Sequence, residues 1–308
     1  MNIKPLGDTP PAVPLGSRRR HIVVGVQGDD ASVAALRWAA RAARARGADL
    51  EALMAWELPE LPSHVPSGVQ DAAQAVIGDL RWALESIVDR SGVGAIPGLS
   101  VTTTVSTGSA KAALADAAER AELIVLGAVH HATAVAALSV GRHAAAVSPR
   151  PVVLVPLDVA GTGAPGSPDA ADGARIVVGL DGSRQSNAAL HWACDEALMR
   201  QVPVAAVAVS LSGVVLDRAT EQVTAAMRAY PTLQITLATR DGDVAEVLAR
   251  ESVGSEMLVL GQHGGNTIRR RLPSLGSVSR WCAAHPVSPV AIIPLPRPPR
   301  VPAQPQQD

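Results

Sequence analysis

Short runs of consecutive apolar residues alternate along this chain with longer stretches in which apolar residues recur every three or four positions. The runs have the length of strands buried on both faces, and the longer stretches have the period of helices packed against them. In the first half, strands are expected near 22–26, 50–56, 100–105, 123–127 and 152–156, with helices near 30–46, 68–92, 109–120 and 140–147. The second half repeats the pattern, with strands near 175–180, 203–209, 233–238, 257–260 and 290–294 and helices near 184–199, 214–229, 242–253 and 276–284. Strands and helices that take turns in this way form parallel βαβ units. Each half is therefore expected to be an α/β domain, a five-stranded parallel sheet with helices on both faces.

The halves are one unit written twice. His21-Ile-Val-Val-Gly-Val-Gln-Gly is echoed by Arg175-Ile-Val-Val-Gly-Leu-Asp-Gly, and Trp38 stands 154 residues before Trp192. Leu123-Ile-Val-Leu-Gly127 answers Met257-Leu-Val-Leu-Gly261, and the run from Pro151 to Pro156 answers that from Pro289 to Pro294. This is a tandem duplication. The offset falls from 154 to 134 by Gly127 and Gly261, so the first copy carries twenty extra residues, in a Pro-bearing stretch at 57–67 and a longer helix after it.

Composition divides the chain into an arm at 1–20, a first domain at 21–157, a linker at 158–173, a second domain at 174–295 and a Pro-rich tail at 296–308. Arm, linker and tail are too rich in Pro, Gly and polar residues for a core and are expected to be extended or disordered. The fifth strand of each half should be an open edge. Packing as an intramolecular pseudo-dimer follows, with Pro156 and Pro294 limiting how far those edges pair. A further homodimer is a compatible expectation.

Hydrophobic residues make up 47% of the chain, yet there is no Phe and only one Tyr, so both cores must be built from Val, Leu, Ile and Ala. A net charge of −1 gives no reason to expect a nucleic-acid partner, and aromatic stacking platforms are missing. No apolar run is long enough to span a membrane. The run after Arg18, Arg19 and Arg20 stops at Gly25 and meets Asp29 and Asp30, so it does not read as an export signal. Cys194 and Cys282 lie far apart in helical patterns, which suits a reducing cytoplasm and buried packing rather than nucleophilic work.

The chemistry gathers in the second copy. Its fourth strand runs into Gly261, Gly264 and Gly265, whose backbone is expected to turn with positive φ and to bare its N–H groups. Beyond Arg269, Arg270 and Arg271, Gly276-Ser277-Val278-Ser279 should open a helix, with Ser277 as its cap. The first N–H groups of a helix have no intrahelical acceptor and carry the positive end of its dipole, so an anion fits there. Asp181, at the end of the first strand, could face a ribose, an adenine edge or a metal on phosphate; it could equally cap the next helix. His263 and the three arginines are set to touch phosphate, or to be solvated like most loop charges. In an open α/β sheet all these segments meet beyond the carboxyl ends of the first and fourth strands.

These residues resemble the nucleotide motif of ATP-binding universal stress proteins, G-x-x-G, nine residues, then G-S or G-T. Here it reads Gly261-Gln-His263-Gly264 and Gly276-Ser277, with eleven residues between Gly264 and Gly276. The resemblance covers 21–157 and 174–295 and implies two tandem flavodoxin-like (Rossmann-like) domains. It implies ATP, with Mg²⁺ or Mn²⁺, in the second copy, and a cytoplasmic regulator of stress or dormancy. The implied contacts are Gly179, Leu180 and Asp181, Ala208 for adenine, Leu260, Gly261, His263 and Gly264, and Gly276, Ser277, Val278 and Ser279 for phosphates.

The first copy departs at these positions. Gln27 stands for Asp181, His130 for Gly264 and Gly141-Arg142 for Gly276-Ser277, so no ATP is expected there. His130, His131 and His143 lack a Cys or carboxylate that would complete a metal site. No nucleophile elbow, Walker A sequence or glycine-loop Lys is present, so at most weak ATP hydrolysis is expected. Two other readings stay open: a scaffold or adaptor of the same fold whose longer loop has abolished the site, and a slow nucleotidase or phosphotransferase.

Overall fold

The computed structural model describes residues 20–57, 67–128, 135–157, 174–209, 212–263 and 274–295. The expected linker and tail, and all of the arm but Arg20, lie outside them. The first half contains β1 (His21–Gly25), α1 (Asp30–Arg46), β2 (Asp49–Trp56), α2 (Ser67–Ser91), β3 (Val101–Thr107), α3 (Ala110–Arg120), β4 (Leu123–Ala128), α4 (Val135–Val147) and β5 (Val152–Pro156). The second contains β6 (Ile176–Leu180), α5 (Arg184–Arg200), β7 (Val204–Val209), α6 (Gly213–Ala229), β8 (Ile235–Arg240), α7 (Val244–Glu251), β9 (Met257–Gly261), α8 (Ser277–Ala284) and β10 (Val290–Ile293). A 3₁₀ turn at Val93–Ala95, not foreseen from the pattern, leads toward β3. Among the described residues, no helix is long and apolar enough to cross a membrane.

Local chemistry sets the ends of the helices. Asp29 caps α1 by accepting from the Ser32 N–H at 2.9 Å, and Ser183 caps α5 by accepting from the Ser186 N–H at 3.1 Å. At the other end α1 stops on Gly47 in the left-handed region, φ 60°, and α5 stops on Gln201 at φ 58°.

The ten strands of the described residues form one sheet, in the order β3-β2-β1-β4-β5-β10-β9-β6-β7-β8. Pairing is parallel within each half, and β1 and β6 each sit beside the fourth strand of their own copy. The fifth strands pair antiparallel with each other, with Val152 opposite Ile292, Val153 opposite Ala291 and Leu154 opposite Val290. Extending that register sets Pro151 opposite Ile293 and Pro289 opposite Val155. Proline has no N–H to donate, and these two stand closer to the ladder than Pro156 and Pro294.

Side chains alternate across the sheet. Ile22, Val24, Ile176 and Val178 face one layer of helices, α1, α2, α5 and α6, where Trp38 is buried among the alanines of α1. Val23, Ile124, Val177 and Leu258 face the other layer, α3, α4, α7 and α8. Both layers run through both halves. Charge joins them as well: Arg46 on α1 pairs with Glu196 on α5 and lies 3.0 Å from Glu122. Arg200 pairs with Glu196 at 3.2 Å and with Glu256 at 3.3 Å, and its guanidinium sits 5.0 Å over the Trp38 ring. Burial, with Arg200 close by, pulls Arg46 down to about 10.

Candidate functional site

The site begins with strand order. Because β6 lies between β7 and β9, the helices that follow β6 and β9 leave toward opposite faces, and a crevice opens at their carboxyl ends. A cavity of about 220 Å³ lies there. Gly179, Leu180 and Asp181 enter from β6, Leu260, Gly261 and His263 from β9, and Gly276, Ser277, Val278 and Ser279 from the head of α8. Val207, Val209, Val244 and Leu248 supply apolar wall.

Several of these positions serve the fold first. A Cβ on Gly261 would stand 2.9 Å from Cβ and 3.0 Å from the carbonyl carbon of Gln185, so glycine is required where β9 passes the start of α5. Gly261 is not among the positive-φ glycines of the described residues, which corrects the expectation of a left-handed turn there. Gly127 repeats the arrangement, its Cβ position lying 2.7 Å from the Ala31 carbonyl carbon. Gly179 leaves room for Leu260, whose Cδ2 lies 2.8 Å from where a Cβ would stand.

Asp181 is half-buried and accepts from the Ser183 N–H at 3.0 Å. Ser183, not Asp181, caps α5. Between them Gly182 has φ +71° and faces the Val215 carbonyl oxygen, 3.0 Å from its would-be Cβ. Gly276 is the cap residue of α8 and Ser277 its exposed first residue, so the expected Ser277 cap is replaced by a glycine with no side-chain bond. The Gly276 N–H donates to the Gln262 carbonyl at 3.0 Å. The buried Ser279 hydroxyl donates to the Gly261 carbonyl at 2.7 Å, fastening the head of α8 to the end of β9. Its hydroxyl is thereby engaged within the fold, while the N–H groups of Ser277, Val278 and Ser279 have no acceptor inside the helix.

Ala208 is buried and absent from the lining. Strand alternation turns Val207 and Val209 into the cavity instead, a signal already present in the period of two but overridden by the motif. The wall from Val244 and Leu248 was also missed; their spacing of four on α7 marks one helical face. Gly264, Arg269, Arg270 and Arg271 lie outside the described residues, as do His130 and His131. Asp181 and His263 are the ionisable side chains of the lining. Burial pushes the Cys194 and Cys282 thiols up to about 12, so neither is a ready nucleophile.

The first copy has a cavity of its own, about 260 Å³, lined by Gln27, Leu53, Leu126, Val140 and Gly141 among others. Its helix differs from the expectation. α4 starts at Val135, six residues before Gly141, whereas α8 starts directly after Gly276. Gly141 therefore lies inside a helix, with its N–H in the helical ladder rather than facing an anion. An apolar cavity survives without the helix head beside that glycine.

The described arrangement can hold a planar apolar group against valines and leucines, a polar group at Asp181 and an anion at the helix head. Known proteins share its architecture. A universal stress protein from Archaeoglobus fulgidus DSM 4304 is similar over 89% of this chain and 98% of its own, with a TM-score of 0.61 at 16% identity. A protein of unknown function from Pseudomonas aeruginosa PAO1 is similar over 90% of this chain and 92% of its own, with a TM-score of 0.54 at 15% identity. At such identities the likeness is one of fold. The model of the universal stress protein family matches residues 18–156 and 174–294, nearly the whole of both halves. The chain therefore belongs to the universal stress protein family, as two tandem copies of its domain.

Proposed function

We propose that the second copy binds an adenine nucleotide, ATP accompanied by Mg²⁺ or Mn²⁺, and that the protein is a cytoplasmic, nucleotide-responsive regulator of stress or dormancy. The observation that carries this reading is the convergence of an apolar slot, a half-buried carboxylate and the head of α8 on one cavity. Adenine lies between Val207 and Val209 on one side and Val244 and Leu248 on the other. The ribose faces Asp181, with Gly179 and Leu180 giving it backbone room. The phosphates lie at the open rim, over Gly261 and His263, and meet the N–H groups of Ser277, Val278 and Ser279 at the positive end of the helix.

Gly276→Asp tests the reading without breaking the fold. Gly276 has φ −58°, which aspartate adopts freely, and aspartate is among the best helix caps. Its carboxylate, however, repels a polyphosphate. In equilibrium dialysis with labelled ATP, the wild type should bind saturably, and the variant should bind at least about tenfold more weakly with an unchanged unfolding midpoint. Absence of saturable binding by the wild type would leave an adaptor without nucleotide.

A further inference from the structure

Gln262 occupies the second position of the glycine motif, and its three polar groups reach three different elements. Its backbone N–H donates to the Ile293 carbonyl on β10 at 2.9 Å, and its carbonyl accepts from Gly276 at the head of α8 at 3.0 Å. Its side-chain amide leaves the second copy altogether: Nε2 lies 2.8 Å from the carbonyl oxygen of Ala145 and 2.8 Å from that of Ala146. Those carbonyls are in the last turn of α4, where a helix has no N–H of its own to satisfy them. An amide nitrogen carries two hydrogens, so one side chain caps both. The cap of a helix in the first copy is thus built from the loop at the edge of the second copy's cavity.

The connection has a direction. Because β5 and β10 are antiparallel, α4 runs from the first cavity, where Val140 and Gly141 line the wall, to the rim of the second. The residue that matches Gln262 in the first copy is Ala128, one after Gly127, and a methyl group cannot donate. The second cavity leans on the first copy through this residue, and Ala128 offers no matching amide in return.

We propose that Gln262 is a positioning residue through which the first copy holds the nucleotide site of the second in its binding geometry. This rests on the reading of the second copy as an ATP site. A ligand that orders Gly276 and the head of α8 also orders Gln262, and Gln262 in turn steadies the end of α4. Coupling of this kind is reciprocal.

Hydrogen exchange on the full chain, with and without ATP and Mg²⁺, tests it. ATP should slow exchange both at 274–281, its own contact, and at 143–150, the end of α4. Gln262→Met has nearly the same length and no donor, and Gln262→Glu sets a negative charge against the negative end of α4. Each should weaken ATP binding about tenfold and abolish the ATP-dependent protection at 143–150 while keeping that at 274–281. Gln262→Lys, whose ammonium donates to both carbonyls and suits a helix carboxyl end, should restore the protection at 143–150. ATP protection at 274–281 with none at 143–150 in the wild type overturns this inference and leaves the proposed function standing. So does wild-type affinity in both the Met and Glu variants. No protection at either place overturns the proposed function, and this inference with it.

Discussion

Gln201 ends α5 at φ 58°, in the conformation that Gly47 adopts to end α1 at φ 60°. For a residue with a Cβ that region costs about 1–2 kcal/mol, part of which glycine gives back through its freer unfolded chain. Gln201→Gly should therefore raise stability by about 0.5–1 kcal/mol, read as a shift of the urea midpoint with unchanged slope. The position was invisible in the sequence, because the repeat aligns a glycine with a glutamine and nothing local announces a left-handed residue. Other site positions were legible for a reason different from the one that holds. Gly261 looked like a turn glycine and is one required by the close passage of α5. Ala208 was drawn from a motif, where alternation alone points to Val207 and Val209. The reach of Gln262 could not be read at all, since its acceptors lie 116 and 117 residues away in the other copy.

Elements were the most legible level, because buried parallel strands and amphipathic helices write long, strongly periodic signals. The boundary of α4 has a local reason: Ala134, just before Val135, is neither a cap residue nor a glycine that would mark a start, and the duplicate helix beginning after Gly276 drew the boundary toward Gly141. Between elements, polar pins matter more than the pattern shows. Glu51, buried on β2, has His21 Nε2 of β1 at 2.7 Å and the Arg120 guanidinium at the end of α3 at 2.8 Å from both its oxygens. Burial alone would raise this carboxyl, but the hydrogen bonds from His21, Thr104 and Arg120 outweigh it and bring the group down to about 2. A carboxylate depressed in the folded state stabilises above its unfolded value of about 4.3 and loses that contribution as pH falls through the folded one. The urea midpoint should decline from about pH 5 toward about pH 2, and Glu51→Gln should flatten that limb.

For the whole molecule, the duplication foretold two halves packed through their fifth strands, and β5 and β10 join them in one sheet. A ten-stranded sheet, two shared helix layers and a run of charges from buried Arg46 and Glu196 through Arg200 to half-buried Glu256 cross or border the junction. Glu196 is the anion that Arg46 and Arg200 share. Glu196→Ala leaves Arg46 with Glu122 and Arg200 with Glu256 but removes the anion between the two guanidiniums, and should cost about 1–3 kcal/mol. Because the halves share their layers, circular dichroism and tryptophan emission should lose signal in a single coincident transition, in the wild type and in the variant alike.

The marriage of β5 to β10 within one polypeptide has a last consequence. Two separate chains joined along the same junction would come apart below their dissociation constant, and each would then lose whatever its neighbour contributed. Tethering makes the encounter unimolecular, so the supporting half is present at every expression level. A cell holding a handful of copies would keep the second cavity as complete as one holding thousands.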